Sequence, residues 1–246
     1  MNGLGILAAL AAESRVLGSA HQGPDGAARL ADGSLLVLSG VGPGAAGAGA
    51  QRLIAAGAKA LISWGMAGGL DPALAAGTVV VPHEVVSPGG TVFASEPRWQ
   101  ASLATMVAAR QPVCGGRLLS CAAPLPSIAA KADAFSRTAA VAVDMESAAV
   151  AEVARLARVP FLAVRAIVDT AADSVPQSAL AAATAGSGAL RLGRVLAGLA
   201  RTPGDIAPLL RLAGRYRSAL RALALVARSG ALTPPTWPAA TRSALA

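Results

Sequence analysis

The sequence predicts an α/β fold in three layers: a central, largely parallel sheet covered by helices on both faces, with a helical extension at the C-terminus. Two observations carry this. Short apolar runs of strand length alternate along the chain with segments of helical period, and strands separated by helices pair in parallel and become buried on both sides. A third observation is compositional. With 54% hydrophobic and 14% charged residues, the 246-residue chain can build a substantial core and is not a disordered one.

The elements follow in order. Residues 4–10 form an apolar run with no basic residue before it, which suits a buried first strand better than an export signal. A second strand is expected at 34–39, a helix at 45–56 and a third strand at 60–66. Strands at 78–86 and 117–121 flank a helix at 98–110, and a helix at 127–137 leads to a strand at 140–143. The helix expected at 146–157 stops before Pro160, and 161–168 is the last apolar strand. Beyond it an Ala-rich helix is expected at 178–200, then a break at 202–205 with Asp205 as a cap. A final helix is expected at 206–228. There Leu209, Leu212, Tyr216, Leu220, Leu223 and Val226 are assigned to one arc, and Arg211, Arg215, Arg217, Arg221 and Arg228 to the opposite one. The proline-containing end, 233–246, is expected to be loosely held. This divides the chain into a catalytic domain, 1–200, and a basic helical extension, 201–246.

Charge is unevenly spread. Residues 191–228 carry eight arginines against the single Asp205, whereas the first 190 residues balance twelve bases with twelve acids. A nucleic-acid surface would be basic throughout and interleaved with stacking aromatics, yet only 3% of the chain is aromatic; nucleic acid is therefore not expected as a partner. Cys114 and Cys121 fit neither metal-ligand nor disulfide spacing. No metal and no organic cofactor is expected, and the expected location is cytoplasmic.

Three acids follow or close apolar strands: Glu13 after the first, Glu146 where a strand turns into a helix, and Asp169 at the end of the last. Taken singly, each has a structural explanation, since anions suit helix N-termini. Together they would place carboxylates at one sheet edge, shielded from water, as acid–base chemistry at neutral pH requires. Two glycine-rich turns are read beside them, Ser39-Gly40-Val41-Gly42-Pro43-Gly44 and Gly65-Met66-Ala67-Gly68-Gly69. Neither matches a dinucleotide or Walker fingerprint, but backbone amides there can approach a sugar or an anion.

These blocks, in this order, resemble the purine nucleoside phosphorylases and the methylthioadenosine/S-adenosylhomocysteine nucleosidases. The carriers are Gly5-Ile6-Leu7 with Glu13, the two glycine blocks, Asp144-Met145-Glu146-Ser147-Ala148-Ala149 and Val164-Arg165-Ala166-Ile167-Val168-Asp169. The Arg-rich C-terminal part and the flavour of the blocks are most similar to the hopanoid-associated phosphorylase branch, whose members are thought to remove adenine from adenosylhopane. The resemblance implies a nucleoside-phosphorylase-like fold and cleavage of an N-glycosidic bond, with a purine nucleoside as substrate. Asp169 would hydrogen-bond or protonate N7 of adenine, Glu146 would accept from the ribose hydroxyls, Met145 would pack on the ribose, and Glu13 would activate water. Met66, Gly40, Gly42 and Gly68 would line the substrate. It also implies a homo-oligomer.

Some positions depart from the family pattern. Met66 stands where the nucleosidases carry serine, Val168 precedes the acid where serine is frequent, and Cys121-Ala122-Ala123-Pro124 offers the base no aromatic ring. The nucleophile stays open: Glu13 favours water, whereas Arg15 would help to hold phosphate as a co-substrate. A methylthioadenosine/S-adenosylhomocysteine nucleosidase and a catalytically silent nucleoside-binding module are the alternatives. The helix at 206–228 either packs on its own domain or docks on an anionic membrane through Arg211, Arg215, Arg217 and Arg221.

Overall fold

The computed structural model describes residues 3–23, 26–175 and 206–235. The helix expected at 178–200, the break at 202–205 and the chain beyond 235 lie outside the described residues.

The fold is the mixed α/β one expected. Its centre is four strands in parallel: β1 (Leu4–Ala8) lies between β4 (Leu35–Leu38) and β5 (Ala60–Gly69), and β12 (Phe161–Asp169) runs along the other side of β5. Side chains alternate between the faces of such strands. Leu7, Leu61 and Ala163 point to one core cluster, whereas Ile6, Ile62 and Leu162 point to the other. Two cores on two faces demand two covering layers. The first is covered by α2 (Pro43–Ala55) and α5 (Ser147–Ala157), through Leu53, Val150 and Ala154. The second is covered by α3 (Pro97–Ala108) and by α6 (Ile206–Arg228), which contributes Ala219, Ala222, Leu223 and Val226. Burying a side chain such as Leu53 or Leu223 contributes about 1.5–3 kcal/mol. Small residues set the helix-to-sheet distance: a Cβ at Gly49 would lie 2.7 Å from Leu7 Cδ1, so α2 sits where only glycine fits.

The sheet is extended at both edges. An antiparallel hairpin, β2 (Ala20–Gln22) and β3 (Ala28–Leu30), continues from β4. At the tip of β5, β11 (Ala140–Asp144) pairs antiparallel, with Ala142 opposite Gly69 and Val143 opposite Gly68. Beyond it lie β10 (Arg117–Ser120) and β7 (Glu84–Val86) in parallel, then β8 (Val92–Ala94). Two short strands, β6 (Val79–Val80) and β9 (Val113–Cys114), join at β12. A one-turn helix, α1 (Ala11–Arg15), follows β1, and α4 (Ile128–Thr138) precedes β11, capped by Ser127 Oγ accepting from the Ala130 amide at 3.1 Å.

Three expectations are corrected. Gly65-Met66-Ala67-Gly68-Gly69 is not a turn but the end of β5, held straight by β12 on one side and β11 on the other. Residues 78–86 are two strands, because Val79–Val80 pairs with β12 and β9 while Glu84–Val86 pairs with β10 and β8, with Pro82 between. Arg215 does not share the outer face of α6. It is half-buried, pairing with Asp173, whereas Arg211, Arg217, Arg221 and Arg228 are exposed. At 100° per residue, Arg215 and Arg217 fall on opposite sides of a helix. Among the described residues no helix is long and apolar enough to cross a membrane.

Candidate active site

The three acids meet the end of β5 from three directions. Glu13 sits on α1, one turn beyond β1, and is 3% exposed. Its Oε2 accepts from the Leu10 amide and its Oε1 from the Met66 amide, both at 2.9 Å. The Trp64 indole donates to its carbonyl at 3.0 Å. These contacts fix the carboxylate over Gly65, where a Cβ would lie 2.8 Å from Oε1. Burial raises the Glu13 carboxyl above its usual range, against the pull of its amide donors and of Arg165.

Glu146 arrives by a different route. Because β11 runs antiparallel to β5, it carries the chain back from Gly69 toward Gly65, and Glu146 follows three residues after Val143. It is 8% exposed. The amide of Gly42 donates to its Oε1 at 2.8 Å and that of Met145 to its Oε2 at 3.3 Å. Gly42 has φ +101°, a conformation glycine adopts without strain, and this aims its amide across from the start of α2 to the start of α5. Burial first, then repulsion from Asp144, raises Glu146 to about 7; Arg165 opposes the rise, and Glu13 adds to it. Glu13 and Glu146 are therefore within electrostatic reach of one another.

Asp169 ends β12 after a register irregularity between Ile167 and Asp169, which re-aims its side chain. Its carboxylate packs on Gly68, where a Cβ would lie 3.3 Å from Oδ2 and an equal distance from Val143 of β11. Lys131 donates to Oδ2. Burial raises the Asp169 carboxyl, with Lys131 and then Arg215 pulling it down. Arg215 of α6 pairs with Asp173, four residues after Asp169, so the C-terminal helix lies along this flank of the site.

The remaining expected positions surround these. Met66 and Met145 are half-buried beside Glu13 and Glu146, and Met66 packs against the second core. Gly40 and Gly42 form the turn from β4 into α2, where Ser39 Oγ donates to the Gly40 carbonyl at 2.8 Å. Arg15, considered for phosphate, is exposed on α1 and lines an outer groove with Ser14, Gly18 and Ser19.

Sequence reasoning missed the layer beneath the acids. Arg165, 2% exposed, donates from Nε to Asp144 Oδ2 at 2.8 Å and from its terminal nitrogen to Ser63 Oγ at 2.6 Å and Ser147 Oγ at 3.0 Å. Asp144 in turn accepts from the Ser147 amide at 3.1 Å. This network joins β5, β12, β11 and α5 directly below Glu146. Its sign in the sequence is an arginine amid seven apolar residues of β12 (Phe161-Leu162-Ala163-Val164-Arg165-Ala166-Ile167-Val168). Lys131 was missed as well. It stands one helical turn before Ala134 on the buried side of α4, a place lysine takes only when it is paired.

A family model described as the phosphorylase superfamily matches residues 28–201. The chain belongs to that superfamily. Solved structures agree in fold. The S-adenosylhomocysteine nucleosidase from Streptococcus pyogenes, in complex with 5-methylthiotubericidin, is 25% identical over 68% of this chain and 84% of its own, with a TM-score of 0.60. The futalosine hydrolase of Helicobacter pylori is 17% identical over 92% and 95%, with a TM-score of 0.68. The 5′-methylthioadenosine/S-adenosylhomocysteine nucleosidase from Neisseria meningitidis, in complex with methylthio-immucillin-A, is 20% identical over 90% and 97%, with a TM-score of 0.63. The chain is thus an enzyme of the phosphorylase superfamily.

Proposed function

We propose that this member of the phosphorylase superfamily hydrolyses the N-glycosidic bond of a 5′-modified adenosine and releases adenine. One observation carries the reading: three buried carboxyls, each raised above its usual range, surround the glycine-rich end of β5. Bond cleavage builds positive charge on the ribose and negative charge on the base. Asp169 supplies a proton or hydrogen bond to N7, so the base departs neutral. Glu146 accepts from the ribose hydroxyls and holds negative charge beside the developing cation. Glu13 takes the proton of the attacking water, a task suited to a carboxylate whose affinity for protons burial has raised.

Electrostatics favours water over phosphate. Among the described residues four buried acids, Glu13, Asp144, Glu146 and Asp169, outnumber two buried cations, and both of those are committed: Arg165 to Asp144 and the two serines, Lys131 to Asp169. Among the described residues a phosphate dianion would find no uncommitted buried cation to hold it. Reaction in ¹⁸O-labelled water with phosphate present tests this. The expected sugar product carries one ¹⁸O at C1; a sugar 1-phosphate would refute the hydrolytic step.

Within this reading the substrate is adenosylhopane. The support is the motif resemblance, the apolar Met66 beside Glu13, and an outer face on α6 of exposed Arg211, Arg217, Arg221 and Arg228, which suits an anionic bilayer. Association into a homo-oligomer belongs to the same reading. Methylthioadenosine or S-adenosylhomocysteine as substrate is the second reading, favoured by the likeness to the Streptococcus pyogenes nucleosidase. Comparing adenine release from the three substrates separates them, and flotation with anionic liposomes at low and high salt tests the arginine face.

A further inference from the structure

A lysine with no exposure at all lies behind Asp169. Lys131 projects from the inner side of α4, and its Nζ donates to Asp169 Oδ2, to the Thr170 carbonyl at 2.8 Å and to the Asp173 carbonyl at 3.0 Å. An ammonium has three protons, and here each has its own acceptor. Burying such a charge costs several kcal/mol unless it is fully paired, and a methionine of similar length would fill the space without that cost. The segment after the acid is held from its other side too. Asp173 Oδ2 accepts from the Thr170 amide at 2.8 Å and the Thr170 hydroxyl at 2.7 Å, and pairs with Arg215 of α6. The Val175 amide donates to Pro126, just ahead of α4, at 2.8 Å.

We propose that Lys131 is a positioning residue for glycosidic cleavage: by occupying Oδ2 of Asp169 and clasping residues 170 and 173, it leaves Oδ1 as the oxygen that meets the departing base. The inference rests on the reading of Asp169 as the group that serves N7. Lys131 itself touches neither base nor sugar. Its hold has two effects. The carboxyl cannot rotate, so Oδ1 keeps one direction while the base is bound and released. The charge beside Oδ2 also keeps the acid from binding its proton too tightly to give it up; the groups that face Asp169 in this way are Lys131 from α4 and Arg215 from α6.

The test compares Lys131→Met and Lys131→Arg with the parent, by kcat for adenine release across pH and by ¹³C-NMR titration of the Asp169 carboxyl. In Lys131→Met we expect kcat to fall at least about 30-fold with KM changed less than about threefold, because the group acts in the transition state. Its alkaline limb and the Asp169 titration should both move up by about one pH unit, the lower end of what a neighbouring opposite charge produces. Lys131→Arg keeps the cation and should return both toward the parent. A folded Lys131→Met with unchanged kcat, or with lower kcat but an unmoved limb and titration, overturns the proposal. If Lys131→Met does not fold, the arginine variant decides: a limb displaced by a whole unit despite the retained cation overturns it. Failure of the broader reading looks different. The parent would then release no adenine, while the carboxyl titration would still report whether Lys131 controls Asp169.

Discussion

Glu146 gives the sharpest separation of stability from function. Its carboxyl rises from an ordinary 4.5 to about 7 in the folded protein. The folded state therefore holds the proton more tightly than the unfolded chain. The stability this confers is complete below pH 4.5 and is lost as pH climbs through about 7. At about 1.4 kcal/mol per tenfold change in proton affinity, keeping Glu146 ionised at pH 8 costs about 3 kcal/mol. Glu146→Gln removes the charge and keeps the shape. Its amide oxygen can still accept from Gly42, while its NH₂ faces the Met145 amide, a mismatch of about 1 kcal/mol. Urea denaturation of parent and variant at pH 4.5 and pH 8 measures the balance. The variant should be about 1 kcal/mol less stable than the parent at pH 4.5 and about 2 kcal/mol more stable at pH 8, while losing about 100-fold in adenine release. Equal effects at the two pH values would show that Glu146 carries no charge penalty and would refute the electrostatic reasoning.

Two further substitutions probe the floor of the site. Gly65→Ala introduces a Cβ 2.8 Å from Glu13 Oε1, and because that carboxylate is anchored by two amides it must swing off its direction; kcat should fall about 10–100-fold, against no change for Gly44→Ala, whose Cβ meets nothing within 4 Å. Arg165→Met strands a buried Asp144 and should cost about 3–5 kcal/mol in thermal or urea unfolding, with part regained when Asp144→Asn is added; a loss below about 1 kcal/mol would mean that the network is not what supports Glu146.

The parallel centre was legible because β1, β5 and β12 are mostly apolar runs, with Ser63 and Arg165 as the polar residues inside them, and such runs belong to strands buried on both faces. The order of the acids along the chain was legible for the same reason, each standing where a run ends. The antiparallel return of β11 was not. Glu146 reaches Glu13 only because Val143 pairs with Gly68, and nothing local in Ala140–Asp144 states a direction. The glycines at 65–69 misled: they read as a turn, but glycine in a strand can instead mark a close approach, and here the approaching groups are Glu13 and Asp169. The short strands β6 to β9 fall below the length at which period is detectable. Arg165 and Lys131 were visible as charges inside apolar patterns, but their partners are 21 and 38 residues away, a relation that only folding creates. Arg215 was misplaced by assigning it to an arc with Arg217, although two residues along a helix reverse the face.

The central claim is that Asp169 delivers adenine as a leaving group from a 5′-substituted adenosine. Chromatographic measurement of free adenine, with parent and Asp169→Asn side by side over a panel of such adenosines, tests it most directly. The parent should release adenine from at least one member without added phosphate, and the asparagine protein, with an unchanged circular dichroism spectrum, should be slower by about 10²–10⁴-fold. Equal rates for the two proteins, or no adenine from any member of the panel, would contradict it.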